Sequence, residues 1–253
     1  MTEWFTVNDA HRDVLARAGL ATFDDWMDVA TDDERPAGRQ ETLTRFDLPG
    51  RDDFGVFLKR CRPAGPMPRF FLRHSRQRRE AESAWTLQTL DVPTVEVVAA
   101  GERRRFGCVS AAFVATCEIR GAGPVSERAT TSRRERNALI DALARVVRRM
   151  HDGGFVDHDL YLRNVLVRRT PKGAHEVFII DSPRGRLRRF GQRRGTVRDL
   201  ACLDRGARTR ASRSDRVRFM KTYLGRERLD DADVRLMREI DVRLPRPLRE
   251  NAT

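Results

Sequence analysis

The stretch His151-Asp-Gly-Gly-Phe-Val-Asp-His-Asp-Leu-Tyr-Leu-Arg-Asn-Val-Leu-Val167 decides how the rest of the chain is read. Asp159 is followed five positions later by Asn164, which opens the apolar run Val165-Leu166-Val167. After one turn a second apolar run, Phe178-Ile179-Ile180, ends on Asp181. Taken alone, an Asp five residues before an Asn is ordinary loop polarity. Three further features change its meaning: a helix-like run precedes it, a strand pair follows it, and an acid stands at the end of the second strand.

Those three side chains share one chemistry. The carboxylate of Asp159 can accept a hydroxyl proton, while the amide oxygen of Asn164 and the carboxylate of Asp181 are hard ligands of the kind Mg²⁺ prefers. Phosphoryl transfer asks a protein for that set: it must position a hydroxyl, hold metal ions on nucleotide phosphates and neutralise charge. The loop and hairpin are expected to bring the three oxygens to one point. Asp159 is then the base, and Asn164 and Asp181 are the metal and nucleotide ligands.

Working outward toward the N-terminus, Leu43, Phe46 and Leu48 lead into Pro49-Gly50-Arg51-Asp52, then Phe54, Val56, Leu58 and Lys59, which predicts a hairpin. Lys59 is expected to close its second strand and to grip nucleotide phosphates, as the strand lysine of a kinase does. Without the downstream residues it would read as a solvated strand-end lysine. A basic stretch, Arg69 to Arg79, precedes Glu80-Ala-Glu-Ser-Ala-Trp-Thr-Leu-Gln-Thr-Leu90, where Ala81, Ala84, Trp85 and Leu87 share a face at helical spacing. Glu80 in its first turn is expected to pair with Lys59, with Glu82 as the competitor. Val92 to Gly101 reads as a turn into a strand and Phe113 to Ile119 as the last strand of a small lobe. Glu118, Ile119 and Arg120 form the predicted hinge whose backbone meets an adenine ring, before a boundary at Gly121-Ala-Gly-Pro124.

On the other side of the loop, Leu139, Leu143, Val146, Val147 and Met150 recur at three- and four-residue steps, predicting a helix from Arg134 that Asp152-Gly153-Gly154 ends. The arginine-dense segment Ser182 to Gly195 takes the place of an activation loop. Asp199 opens another helix and is expected to brace the catalytic loop by accepting backbone hydrogen bonds. Residues 211–240 read as two further helices. Residues 1–34 hold a short strand (Trp4 to Val7), a helix (His11 to Ala18) and an acidic patch, with aromatics assigned to packing. Upstream of Glu41 the one candidate for a glycine-rich phosphate loop is Pro36-Ala-Gly38.

The sum is an α+β chain: a β-rich lobe with one main helix over 1–120 and a mostly helical lobe over 121–253, together one domain. A length of 253 residues with 40% hydrophobic content suits that plan. The formal net charge of +13 implies an anionic partner. An anionic bilayer face, a phosphorylated glycolipid or nucleic acid would fit, although the heavy use of Arg over Lys also has a neutral source in genomic base composition. The basic runs lack aromatics interleaved at stacking positions and no known binding motif is present, which disfavours nucleic acid. Cys61, Cys108, Cys117 and Cys202 show no CxxC spacing, which argues against zinc and against a disulfide framework. The start Met1-Thr-Glu-Trp has no basic segment followed by an apolar core, and no window reaches a transmembrane span, so a reducing cytoplasm is the expected compartment.

Together these residues resemble the lipopolysaccharide kinase (Kdo/WaaP) family from about Glu41 to Tyr223. The likeness is carried by Thr42-Leu-Thr-Arg-Phe46 before the Lys59 strand, by Val92-Pro-Thr94 before Ala100-Gly-Glu102, and by His151-Asp-Gly-Gly-Phe155 before Asp159-Leu-Tyr161. Ile180-Asp181 and Arg198-Asp-Leu-Ala-Cys-Leu203, with Phe219 to Tyr223 beyond, complete it. The resemblance implies a protein-kinase-like fold and phosphorylation of inner-core lipopolysaccharide sugars with ATP. It implies that Lys59 binds the ATP phosphates, that Glu80 pairs with it, that Asp159 is the base and that Asp181 binds Mg²⁺. The stretches Arg69 to Arg79 and Arg184 to Arg194 would then hold the anionic glycolipid or an anionic membrane surface, with the enzyme peripheral on the cytoplasmic side of the inner membrane. Two departures stand out: the loop reads Asp157-His158-Asp159 where relatives commonly carry His-Arg-Asp, and Asn164 stands where many have His. A protein or small-molecule acceptor keeps the fold and changes the substrate. A catalytically silent scaffold is disfavoured by the intact Lys59, Asp159, Asn164 and Asp181.

Overall fold

The structure, a computed structural model, describes all residues except 31–33, 39, 49–50, 66–69, 128–129, 131, 189 and 244–253, and of 38 and 51–53 the backbone alone. The chain divides into two compact units, Met1–Trp85 with Val95–Arg120, and Thr86–Thr94 with Gly121–Thr253.

Among its described residues the first unit is built on a six-stranded antiparallel sheet of β1 (Thr2–Val7), β2 (Arg35–Gly38), β3 (Glu41–Leu48), β4 (Arg51–Cys61), β5 (Val97–Arg105) and β6 (Cys108–Cys117), in the order β1-β5-β6-β4-β3-β2. Period-two alternation gives the sheet two apolar faces. Val56, Leu58, Val98, Phe113 and Ala115 face one way, where the short helices α1 (Arg12–Arg17) and α2 (Phe23–Asp28) lay Leu15, Phe23, Trp26 and Met27 on them. Trp26 is stacked on Phe113 with ring centroids 5.6 Å apart, and its indole N–H donates to the Leu20 carbonyl at 3.1 Å, so a large apolar ring is buried with its one polar atom satisfied. Each fully buried side chain of this size contributes roughly 1.5–3 kcal/mol. The aromatics assigned to packing are therefore the cover of the sheet. Val97, Ala100 and Val114 face the other way and meet Ala81 and Ala84 of α3 (Arg76–Thr89). Small residues at that contact let the helix approach the strands closely.

Two boundaries differ from the sequence expectation. β4 does not stop at Lys59 but runs on to Cys61, because the buried Arg60 side chain donates to the carbonyls of Met27 (3.0 Å) and Val29 (2.8 Å) and holds the strand against the N-terminal cover. β6 begins at Cys108, earlier than Phe113, since its pairing with β5 continues to Arg105. The Pro49-Gly50 turn lies outside the described residues. Pro36-Ala-Gly38, the candidate phosphate loop, lies in strand β2 paired with β3.

The second unit centres on α4 (Arg133–Asp152), whose Leu139, Leu143, Ala144, Val147 and Met150 are buried at three- and four-residue steps. Ser132 caps its start by accepting the Glu135 N–H at 3.1 Å. At the other end Gly153 keeps a helical φ of −71° and Gly154 takes the left-handed φ of +85°. Around α4 stand a three-stranded sheet of β7 (Gly123–Pro124), β9 (Val165–Arg169) and β10 (His175–Ile179), and the two-stranded pair β8 (Phe155–Val156) with β11 (Arg186–Leu187). Helices α5 (Arg193–Ala207), α6 (Arg213–Leu224) and α7 (Asp231–Val242) close the core with Leu200, Leu203, Met220 and Ile240. Asp215 and Asp233 complete capping boxes on α6 and α7. Among the described residues no helix is long and apolar enough to cross a membrane.

Candidate active site

In the sheet unit the reactive pair is set by two periodicities. On β4, Leu58 points into the covered face and Lys59 therefore points to the face that α3 occupies. On α3, Gln77, Glu80, Ala81 and Ala84 form the buried stripe. Lys59 Nζ meets Glu80 Oε1 at 2.6 Å, with Glu80 almost wholly buried. Glu82 points elsewhere, to Arg78 at 3.0 Å and to His74. The start of α3 is held by Glu102, a fully buried acid that accepts the Ser75 N–H and the Arg104 Nε–H, the latter at 2.7 Å. Glu118 ends up beyond β6, its carboxylate on Arg45 at 2.8 Å. Its N–H already donates to the Gly55 carbonyl at 2.8 Å, so its own carbonyl is the backbone group with which it can meet a base.

In the helical unit the loop after β8 is clamped from below. Asp199, fully buried on α5, accepts the backbone N–H of Asp157 (2.8 Å) and of His158 (2.7 Å), and lies 3.3 Å from His151 Nε2. Asp199 thus braces the loop as expected. His158 takes a left-handed φ of +68°, and burial holds its imidazole below the usual histidine value. Local strain of this kind persists where surrounding bonds over-determine it. Asn164 is buried and donates its Nδ2–H to the Asp159 carbonyl at 3.0 Å, which identifies Oδ1 as the oxygen it can offer a metal.

Strand register sets where the Asp181 segment runs. Val165 pairs with Ile179, so Ile180 stands opposite Asn164 and donates its N–H to the Asn164 carbonyl at 3.0 Å. The next residue, Asp181, turns out of the strand with φ +53°. Sequence reasoning saw Asp157 only as a departure and passed over Ser182. The Asp157 carboxyl accepts the Asp159 N–H (3.3 Å) at one oxygen and the Ser182 hydroxyl (3.1 Å) at the other, tying the Asp159 loop to the Asp181 segment. Burial first, and the nearby Asp199 second, push the Asp157 carboxyl well above the usual carboxylate range. The one signal for this role in the sequence was an acid two residues before Asp159 and a hydroxyl directly after Asp181. On the open side, Arg184 Nη1 lies 3.5 Å from Asp159 Oδ1.

Asn164 and Asp181 offer oxygen atoms of the hard type that a magnesium ion takes, one amide and one carboxylate, on segments joined by the Ile180 N–H to Asn164 carbonyl bond, so the chemistry of this donor set fits the ion. The basic stretches are less open than their composition implies. Arg76 pairs with Glu41, Arg78 with Glu82, Arg184 with Asp159 and Arg193 with Glu239. Arg69 and Arg189 lie outside the described residues.

The lipopolysaccharide kinase (Kdo/WaaP) family model matches residues 68–223, more than half of the chain. No curated protein matches it. Among solved structures, one of WaaP in complex with acyl carrier protein superposes with a TM-score of 0.71 at 21% identity, covering 96% of this chain and 100% of that one. That likeness carries the fold, which is protein-kinase-like.

Proposed function

Since the chain belongs to the lipopolysaccharide kinase (Kdo/WaaP) family, we propose that it phosphorylates a heptose or Kdo hydroxyl of the lipopolysaccharide inner core at the cytoplasmic face of the inner membrane. Membership makes it an ATP-dependent phosphotransferase with an alcohol group as acceptor. The observation that carries the residue roles is the bond from Asn164 Nδ2 to the Asp159 carbonyl within a loop whose N–H groups are held by Asp199.

In this reading Asp159 accepts the proton of the sugar hydroxyl as the oxygen attacks the γ-phosphorus, and the bond to the β–γ bridging oxygen breaks to release ADP. Lys59, kept in place by Glu80, binds the α- and β-phosphates, and the Glu118 carbonyl accepts from the adenine amine. Asn164 and Asp181 would hold Mg²⁺, which would supply positive charge to the phosphate oxygens. Arg184, 3.5 Å from Asp159, would receive an anionic group of the acceptor. Mg²⁺-dependent phosphorylation of purified core oligosaccharide, measured beside Asp159→Ala and Asp181→Ala, tests the assignment. Equal rates in all three proteins would remove it.

A cavity of about 460 Å³ within the helical unit favours a second partner. It is lined by Leu139, Leu143, Leu200, Leu203, Phe219 and Met220, with both charges at its wall, Arg136, Arg210 and Arg216 beside Glu127, Asp204 and Asp215. An apolar hole of this size suits a hydrocarbon chain, and the solved WaaP structure holds an acyl carrier protein. The acyl group of such a carrier is the proposed occupant here. Native mass spectrometry of protein made in an acyl-carrier-rich host would detect the complex, and Leu143→Trp should abolish it by filling the cavity.

A further inference from the structure

On the sheet unit two turns meet and present three large apolar side chains to solvent. Phe71, Leu72 and Phe106 are 55%, 74% and 81% exposed. Leu72 and Phe106 both have φ of +52°, a left-handed backbone that bulky residues adopt only when their surroundings impose it. The imposition is visible. The Leu72 N–H donates to the Gly107 carbonyl at 3.1 Å, and the Arg73 N–H to the Phe70 carbonyl at 3.0 Å. Arg104 staples the two turns, donating to the Arg73 carbonyl (2.6 Å), the Gly107 carbonyl (3.0 Å) and the buried Glu102 (2.7 Å). At Gly107, with φ +75°, a Cβ would stand 2.9 Å from the Phe71 ring, so the second turn leaves room for the first. Phe70, the neighbour of the exposed pair, packs inward on the cluster of Cys61, Val109 and Ala112.

Two arginines add positive charge at the edge of this tip. Arg73 and Arg105 are exposed beside it, and the Arg105 guanidinium lies 5.3 Å from the Phe106 ring. Within residues 70–76 and 102–108 the one acid is Glu102, buried and bound to Arg104, and the acids that reach these turns from elsewhere are paired, Glu82 with His74 and Arg78, and Glu3 and Asp24 with Arg103. Apolar side chains held outward against their own solvation, ringed by arginine, match the boundary of an anionic bilayer, where acyl chains take the rings and headgroups take the cations. Three side chains present well under the ~800 Å² that a stable protein partner buries per side, which favours a bilayer over a protein. We propose that this two-turn tip, Phe71, Leu72 and Phe106 with Arg73 and Arg105, inserts into the headgroup region of an anionic membrane. It deepens the proposed reading by naming the surface that would meet the bilayer, and it rests on that reading only for the choice of membrane.

The test uses the full chain and flotation with vesicles of phosphatidylcholine mixed with phosphatidylglycerol, or of phosphatidylcholine alone. The native protein should float with the mixed vesicles, and Phe71→Ser/Leu72→Ser/Phe106→Ser should bind them about tenfold more weakly or worse. Arg73→Ser/Arg105→Ser should lose the preference for the mixed vesicles. An unaltered melting temperature and an unaltered rate on lipid-free core oligosaccharide would show that the apolar variant is folded. As an independent readout, the emission of a Phe106→Trp variant should shift to the blue and resist an aqueous quencher when mixed vesicles are added. Native protein that fails to float, a triple variant that floats like the native chain, or an unshifted emission from the Phe106→Trp variant would each overturn the proposal. Absence of sugar phosphorylation by the native protein would instead remove the kinase acceptor, leaving flotation to decide the tip.

Discussion

At Asp157 the chain solves a problem that its loop sequence poses. An acid is buried there and joins the backbone at Asp159 to the hydroxyl of Ser182. Its pKa is raised, so between its ordinary value of 3.8 and the raised folded value the native chain binds more protons than the unfolded one. By linkage the stability this group contributes is complete at low pH and is lost as pH rises through that window, by at most about 1.4 kcal/mol per pH unit. Asp157→Asn is permanently neutral and should flatten the slope, gaining on the native chain as pH rises. Urea unfolding from pH ~4 to ~8 would measure it, and an unchanged slope would locate the titration elsewhere. At the reacting residues, Asp159→Ala should lower kcat by about 10²–10⁴-fold. If Lys59→Ala raises KM for ATP without a comparable loss of stability, the lysine binds nucleotide rather than holding α3 through Glu80.

At the scale of the element, α4, β8 and α5 form a mount for the loop. Gly154 lies at the turn from α4 to β8, where a Cβ would stand 2.9 Å from the Arg188 carbonyl oxygen. Its carbonyl also accepts the Arg188 N–H at 2.8 Å. Gly154→Ala combines a left-handed backbone with a backbone clash and should cost roughly 1–3 kcal/mol. A denaturant midpoint equal to that of the native chain would disprove this. Asp199→Ala would strand the buried N–H groups of Asp157 and His158, at about 1–3 kcal/mol for each group left without a partner. Much of this mount was legible: the apolar spacing of α4, the glycine pair that ends it and the bracing role of Asp199 all rest on short-range pattern. Which glycine takes the left-handed turn was not, because that depends on the Arg188 segment returning against β8.

Across the whole molecule the net charge of +13 survives ion pairing, because each pair consumes one charge of either sign, and it should act on anionic acceptors at a distance. Raising salt shortens the Debye length from ~8 Å at physiological strength toward ~3 Å at 1 M. KM for a phosphorylated core acceptor is therefore expected to rise with salt, while KM for its dephosphorylated counterpart should change little. Parallel responses of the two acceptors would assign the arginines to other work. The N-terminal cover shows the same scale from the side of packing. Phe23, Trp26 and Met27 lie on α2, in a stretch that reads in the sequence as an acidic patch, because their target, the Phe113 face of the sheet, lies far downstream on β6.

The sequence alone determined the chemical set and its order: a strand lysine, a helix acid, a loop with Asp159 and Asn164, and a strand ending on Asp181. These follow from spacing and periodicity, which are local properties. Tertiary structure alone decided the pairings. Glu80 and Glu82 lie two residues apart on one helix and point about 200° away from each other, so the choice between them rests on which face the sheet buries. Asp157 became a bridge only because the β9–β10 register carries Ser182 back to it. Burial is a non-local quantity, and in this chain it decides between carboxylates that lie two residues apart on one helix.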